Sequence, residues 1–324
     1  MIEKMNRYVD IYGDIKSEIA NKIIGNDDIV EKLLIAVFVG GNVLLEGAPG
    51  LGKTELVKSI SQVLDLDFKR IQFTPDLMPS DIIGSKIANY DKDGRLYFEF
   101  QKGPVFTNIL LADEINRATP KTQSALLQAM QEKQVSTDGT TMNLQRPYFV
   151  LATQNPIEME GTYPLPEAQL DRFIFKLKMK SPNNRSLMDI VKSTMYSKSP
   201  ELNKLIEASE INEVNELLDH IAISDAVLEY AIRIVNGTNP EHTDIDLVEK
   251  YVMYGSSPRG AQGLIASAKA LALFRGRKNV SFEDIKYLAK DVLNHRVILN
   301  FNAMRDEVGP EEIIDAIVDR TAME

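Results

Sequence analysis

Apolar and polar residues alternate along this chain in two rhythms, and the switch between them divides it. From about residue 24 to residue 182, short apolar runs alternate with helical spacings and turn residues. Residues 42–46, 69–73, 109–112 and 148–152 are the best strand candidates, each bounded by Gly, Pro, Asp or Asn, with 173–177 as a fifth. Short continuous apolar runs of this kind suit central strands covered on both faces. Strands separated by helical stretches predict an α/β fold with a largely parallel sheet. Beyond Ser181 the spacing is helical. Ser224 opens a helix carrying Val227, Tyr230, Ala231 and Ile234 on one face, and Ser257-Pro258 starts an Ala/Leu-rich helix over 260–275. Ser281 and Asp284 form a variant capping box before a helix over 285–293. The turn-rich stretch Ser181-Pro182-Asn183-Asn184 separates an α/β unit, 1–182, from a helical unit, 183–324. Two hairpins, turning at Asp91-Lys92-Asp93-Gly94 and at Asp138-Gly139, interrupt the first unit and read as surface insertions.

Composition narrows the class. A chain of 324 residues suggests two domains, and 44% hydrophobic with 26% charged residues suffices for an ordinary core. The net charge of −10 argues against non-specific coating of nucleic acid, because neutralising phosphates needs a basic face. An acidic ring with a basic channel would escape that argument, but no Lys/Arg block stands out. With no cysteine there is no disulfide framework or thiolate metal site, and His220, His242 and His295 are scattered. The sequence has no apolar run of about eighteen residues and no signal-peptide core, so a cytoplasmic protein without a membrane span is expected.

Chemistry concentrates at the ends of the predicted strands. Gly47-Ala48-Pro49-Gly50-Leu51-Gly52-Lys53-Thr54 fits G-x-x-x-x-G-K-[ST] between a strand and a helix. Glycines let backbone N–H groups curl around phosphate oxygens, Lys53 would neutralise the β- and γ-phosphates of ATP, and the Thr54 hydroxyl would ligate Mg²⁺. Asp113 and Glu114 end the run 109–112: Asp113 suits Mg²⁺ held through water, and Glu114 suits polarisation of the attacking water. Alone, two acids after a strand are more often a solvated turn; beside a P-loop the odds reverse. Asn155 could orient the water or sense the γ-phosphate, and a turn-forming Asn before Pro156 accounts for it equally well. Arg172 precedes the fifth strand. Arg259 sits in the first turn of a helix, where a cation opposes the macrodipole unless an anion such as phosphate compensates. Either could equally be a surface arginine.

These residues, in this order, resemble the AAA+ ATPases and, within them, the MoxR family. The similarity spans about residues 23–296 and is carried by Ile24-Gly25, the loop Gly47 to Thr54, Gln72-Phe73-Thr74-Pro75-Asp76, Pro79-Ser80-Asp81, Asp113-Glu114-Ile115-Asn116-Arg117-Ala118, Thr153-Gln154-Asn155-Pro156, Leu170-Asp171-Arg172-Phe173 and Ser257-Pro258-Arg259. It implies an AAA+ P-loop core, with a parallel five-stranded sheet between helices, followed by a small all-α lid. The hairpins then resemble the helix-2 insertion, about 84–102, and the hairpin before the first sensor, about 133–147. The resemblance implies Asn155 as first sensor, Arg172 as arginine finger on a neighbouring subunit's ATP, Arg259 as second sensor, and Ile24 and Gly25 against adenine. The lid can be repositioned in the branch that includes MCM helicases and magnesium chelatase subunits. Whether Arg259 serves its own ATP or a neighbour's therefore stays open. Gly260 stands where Ala is common.

A finger in trans, worth ~10³–10⁵ in rate in other P-loop enzymes, implies a homo-oligomeric ring, expected to be a hexamer. MoxR-family ATPases are associated with partners carrying von Willebrand factor A domains, in metal-cofactor insertion or complex assembly. The expected function is thus an ATP-driven chaperone acting on a client protein. Two other classes stay open. A nucleic-acid motor akin to MCM is disfavoured by the acidic balance and the lack of a basic, aromatic-bearing insert. A nucleotide-gated scaffold with little turnover is disfavoured by intact Lys53, Asp113 and Glu114.

Overall fold

The computed structural model describes residues 2–137, 139–156, 161–196 and 200–323; Asp138, half of the second turn expected above, lies outside them. The strands of the first unit are β1 (Val43–Glu46), β2 (Phe68–Gln72), β3 (Gly84–Tyr90), β4 (Leu96–Lys102), β5 (Ile109–Asp113), β6 (Gln134–Thr137), β7 (Thr140–Asn143), β8 (Phe149–Gln154) and β9 (Phe175–Lys178). Five of them form one parallel sheet in the order β2-β5-β8-β1-β9. Side chains alternate across it. Val43, Leu45, Ile109, Leu111, Phe149 and Leu151 enter one core cluster, while Leu44, Leu110, Ala112, Val150 and Ala152 enter the other. Both faces are therefore dry, which is why the runs are continuously apolar.

One face is covered by α1 (Ile2–Ala20), α2 (Asp27–Val39) and α3 (Lys53–Val63), the other by α4 (Pro79–Ile83) and α5 (Pro120–Glu132). The short α6 (Glu167–Leu170) leads into β9. Then follow α7 (Asn184–Tyr196), α8 (Ala208–Leu217), α9 (Asp225–Gly237), α10 (Asp246–Tyr251), α11 (Pro258–Phe274), α12 (Phe282–Leu293), α13 (Phe301–Arg305) and α14 (Pro310–Arg320). The expectation of a purely helical lid needs one correction. An antiparallel pair, β10 (Val252–Tyr254) with β11 (Ile298–Leu299), forms where extended segments leave α10 and α12 side by side. The turn at residues 181–183 lies between β9 and α7, but the apolar cluster on one sheet face runs from α1 through α9, α11, α12 and α14 without a gap. Tyr12 of α1 stacks on Phe274 of α11 at 3.9 Å, tying the first helix to the lid.

The local signals act as their chemistry requires. Ser224 and Ser257 accept the N–H groups of Val227 and Arg259 at 3.4 and 3.2 Å, and Ser281 with Asp284 forms the reciprocal box. Asp91 accepts the N–H groups of Asp93 and Arg95 at 2.9 and 2.8 Å, fixing the turn between β3 and β4. Among the described residues, no helix is long and apolar enough to cross a membrane.

Candidate active site

β1 ends at Glu46 and α3 begins at Lys53, so the loop Gly47 to Gly52 caps the carboxyl end of the sheet. Gly50 and Gly52 both take φ +82°, a left-handed conformation that side chains resist, and a Cβ at either would face open space. The loop can thus turn its N–H groups toward an anion at the start of α3. The Lys53 ammonium folds back onto the Gly47 carbonyl at 2.8 Å. Burial pushes its pKa down, while the carboxylates of Asp113 and Glu114 push it up. Both acids therefore lie within electrostatic reach of Lys53. Thr54, the second residue of α3, is half-buried beside it.

The sheet explains this proximity. β8 lies between β1 and β5, and all three run parallel, so their carboxyl ends share one edge. At about 4.8 Å between strands, β1 and β5 stand roughly 10 Å apart, a gap that a triphosphate and one metal ion can bridge. Asp113 ends β5 with its Oδ2 accepting both Nε and Nη2 of Arg70, at 3.1 and 2.7 Å. Its Oδ1 accepts the Thr153 hydroxyl at 2.5 Å, and that hydroxyl accepts the Glu114 N–H at 2.9 Å. Glu114 sits at φ +56°, which is costly for a residue with a side chain; the Thr153 bond secures it. Its carboxylate accepts Gln72 Nε2 at 2.7 Å and pairs with Arg117 Nε at 3.0 Å. Asn155, buried, follows the end of β8 on the same edge. Lys22 pairs with Glu55 in the first turn of α3 at 2.5 Å, which brings the segment with Ile24 and Gly25 to the border of the crevice. A Cβ on Gly25 would lie 2.7 Å from Ser186 Oγ, so α7 flanks that border too.

The two arginines lie at the opposite end. The Ile174 N–H donates to the carbonyl of Asn42, the residue before β1, at 2.7 Å, which places Asp171 and Arg172 at the amino ends of β1 and β9. About 13 Å of strand separates them from the P-loop. Arg172 donates from Nη1 to the Leu127 carbonyl at 2.9 Å, and its Nε is buried with no hydrogen-bond partner. Arg259 stands at the start of α11, 3.7 Å from Asp171 Oδ2, which also accepts the Ser257 hydroxyl at 2.9 Å. Asp171 is thus the anion that compensates a cation at this helix N-terminus. Arg296, 3% exposed, closes the cluster through Asp171 Oδ1 at 2.9 Å. Asn42, Asp171, Arg172, Arg259, Gln262 and Arg296 help line an open cleft of about 340 Å³.

The carboxyl-end residues fit a magnesium nucleotide. They offer one hydroxyl and one carboxylate rather than a protein cage, and no group of three or more His, Cys, Asp or Glu poised for a metal occurs among the described residues. Mg²⁺ commonly takes one or two carboxylates and completes its shell with phosphate oxygens and water. Sequence reasoning missed Arg70, Asp171 and Arg296. Arg70 carried a faint signal, a charged residue within a strand of the sheet; the two others depend on long-range packing.

Comparison with known proteins bears on the family and the fold. Residues 42–175 match the family described as ATPase family associated with various cellular activities (AAA), and residues 246–317 match the AAA lid domain. The chain is 42% identical over 307 residues to Chaperone MoxR1 of Mycobacterium tuberculosis, covering 94% of this chain and 80% of that protein. It is 31% identical over 326 residues to Protein MoxR of Methylorubrum extorquens, covering 94% and 93%. A crystal structure of a candidate ATPase from Cytophaga hutchinsonii superposes with a TM-score of 0.92 at 41% identity, covering 99% of this chain and 97% of that one.

Proposed function

The chain belongs to the MoxR family of AAA+ ATPases, and from that premise we propose that it hydrolyses ATP as a hexameric ring in the cytoplasm and uses turnover to remodel or mature a client protein. The client class best suited to a MoxR-type chaperone is a protein with a von Willebrand factor A domain, with metal-cofactor insertion as one outcome of its maturation.

In this mechanism the loop Gly47 to Gly52 cradles the phosphates and Lys53 neutralises β- and γ-oxygens. Ile24 and Gly25 border the base. Thr54 and Asp113 would hold Mg²⁺, Asp113 through water, an outer role consistent with Arg70 engaging its Oδ2. Magnesium, when bound, neutralises charge on the β- and γ-phosphates. Asn155 orients a water whose proton passes to Glu114 as its oxygen attacks the γ-phosphorus and the bond to ADP breaks. Arg172 and Arg259 act on the ATP of an adjoining protomer. The observation that carries the ring is the placement of both arginines at the amino end of a sheet whose carboxyl end bears the P-loop.

The test is Arg172→Ala. ATP affinity of the protomer should stay within about threefold of wild type, while phosphate release from the assembled protein falls at least ~10³-fold. Full turnover in that variant removes Arg172 from the site. The client is sought with Glu114→Gln, which should hold ATP without cleaving it; failure to retain any von Willebrand factor A protein argues against that class.

A further inference from the structure

Among the exposed large apolar side chains, two groups flank the two halves of the divided site. The first is on α7, where Leu187, Met188 and Met195 are 49%, 56% and 71% exposed. At 100° per residue these three fall within a sector of about 100°, one stripe of the helix. Ser186, on the same helix, lies against Gly25 at the border of the nucleotide crevice. The second group is on the lid. Met253 and Tyr254 of β10 are 52% and 62% exposed, and Phe301 and Met304 of α13 are both 77% exposed. β10 ends five residues before Arg259, the arginine at the amino-end cleft. Exposed apolar patches of this kind mark interaction surfaces, and Met-rich ones suit surfaces that form and dissolve.

Their charges are complementary. On α7 itself, exposed Arg185 and Lys192 outnumber Asp189. Around the lid patch, Lys250 and Arg305 share the single carboxylate of Asp306, and exposed Asp246, Glu249 and Glu307 outnumber the one positive charge left over. A closed ring requires a heterologous interface, in which two different surfaces of one chain meet. An apolar stripe with a basic rim and an apolar patch with an acidic rim satisfy that requirement.

We propose that the α7 stripe of one protomer docks onto the Met253, Tyr254, Phe301 and Met304 patch of the next. This contact delivers the neighbour's Arg172 and Arg259 to the nucleotide. The inference rests on the ring proposed above and adds to it which surfaces touch.

The absence of native cysteine allows a clean test. In a Glu114→Gln background with Mg-ATP, protomers carrying Met188→Cys are mixed with protomers carrying Tyr254→Cys and treated with a short bis-maleimide. Covalent dimers should form in the mixture and in neither variant alone; dimers from a single variant mean a self-paired patch and overturn the proposal. Sedimentation is measured alongside. A ring without cross-links overturns this interface and leaves the ring standing, whereas no ring overturns both. Charge gives a second arm free of cross-linking. Met188→Asp, facing an acidic rim, should raise the concentration needed for assembly by about tenfold or more, and Met188→Lys by less than about threefold. Equal effects of the two would overturn the assigned partner.

Discussion

The two ends of the central sheet hold charge in different ways. At the carboxyl end, Lys53 rests on a single carbonyl and Glu114 on exposed polar partners, so the groups are positioned but free to exchange partners for a ligand. At the amino end, Asp171 gathers Arg259, Arg296 and Ser257, and Arg296 also donates to the Phe173 carbonyl at 2.6 Å. On the function proposed above, one end would receive phosphate and the other would present a cationic edge held by Asp171. Such an edge lowers a barrier only if it needs no reorganisation when it meets the transition state. On the same proposal, each chain would carry halves of two different sites.

The sharpest way to break that contrast is to disable each half in a different protomer. Lys53→Ala and Arg172→Ala should each reduce turnover by ~10³ or more, the first by losing nucleotide and the second without losing it. Mixed at equal amounts, they should recover about a quarter of wild-type turnover, because about one junction in four pairs an intact P-loop with an intact finger. No recovery in mixed rings would mean that both groups act within one chain. Glu114→Gln should sharpen the carboxyl end alone: phosphate release falls ~10²–10⁴-fold while ATP affinity measured by titration is kept.

At the amino end, Asp171→Ala removes the shared counter-charge of a nearly buried guanidinium. Breaking a buried pair on one side costs ~3–5 kcal/mol, and the lower end applies here because Asp171 keeps some exposure. Chemical denaturation should therefore show a loss of roughly 3 kcal/mol. Nucleotide affinity of the protomer should not change, since the cluster stands at the far end of the sheet. A parallel loss of ATP affinity would show that the two ends are coupled within the chain.

Much of the carboxyl end was legible in the sequence. A P-loop depends on local spacing, and apolar runs on a sheet covered on both faces alternate with turns that name their own ends. The amino-end cluster was only half legible. Arg172 and Arg259 stood out through resemblance, but Asp171 and Arg296 are 125 positions apart and meet only because α12 packs beside β9. α1 was overlooked although Met5, Tyr8, Tyr12, Ile15 and Ile19 follow helical spacing. Its intervening charges hid a face that needs α2, α3 and α11 to become a core. The β10–β11 pair is too short to carry a signal before its partner is known.

The smallest effect concerns His295, next to Arg296 in the same cluster. Its Nε2 lies 2.9 Å from the Phe173 carbonyl, as a donor would, and burial holds its pKa well below the usual 6.5, with the Arg296 charge acting the same way. The unfolded chain therefore binds a proton below about pH 6.5 that the folded chain refuses, so this contribution to stability is complete above that value and is lost as pH falls. The loss should approach ~1.4 kcal/mol for each pH unit below 6.5 until the folded imidazole itself titrates. Asp291, whose carboxyl is raised by burial, acts with the opposite sign but in the carboxylate range, so the two windows are separable. Melting temperature followed from pH 7.5 to 5.5, taken as roughly the imidazole range, should fall in the wild type and fall less in His295→Gln. Parallel curves would show that protonation is accommodated there, and with it that the cationic edge is less rigid than its hydrogen bonds suggest.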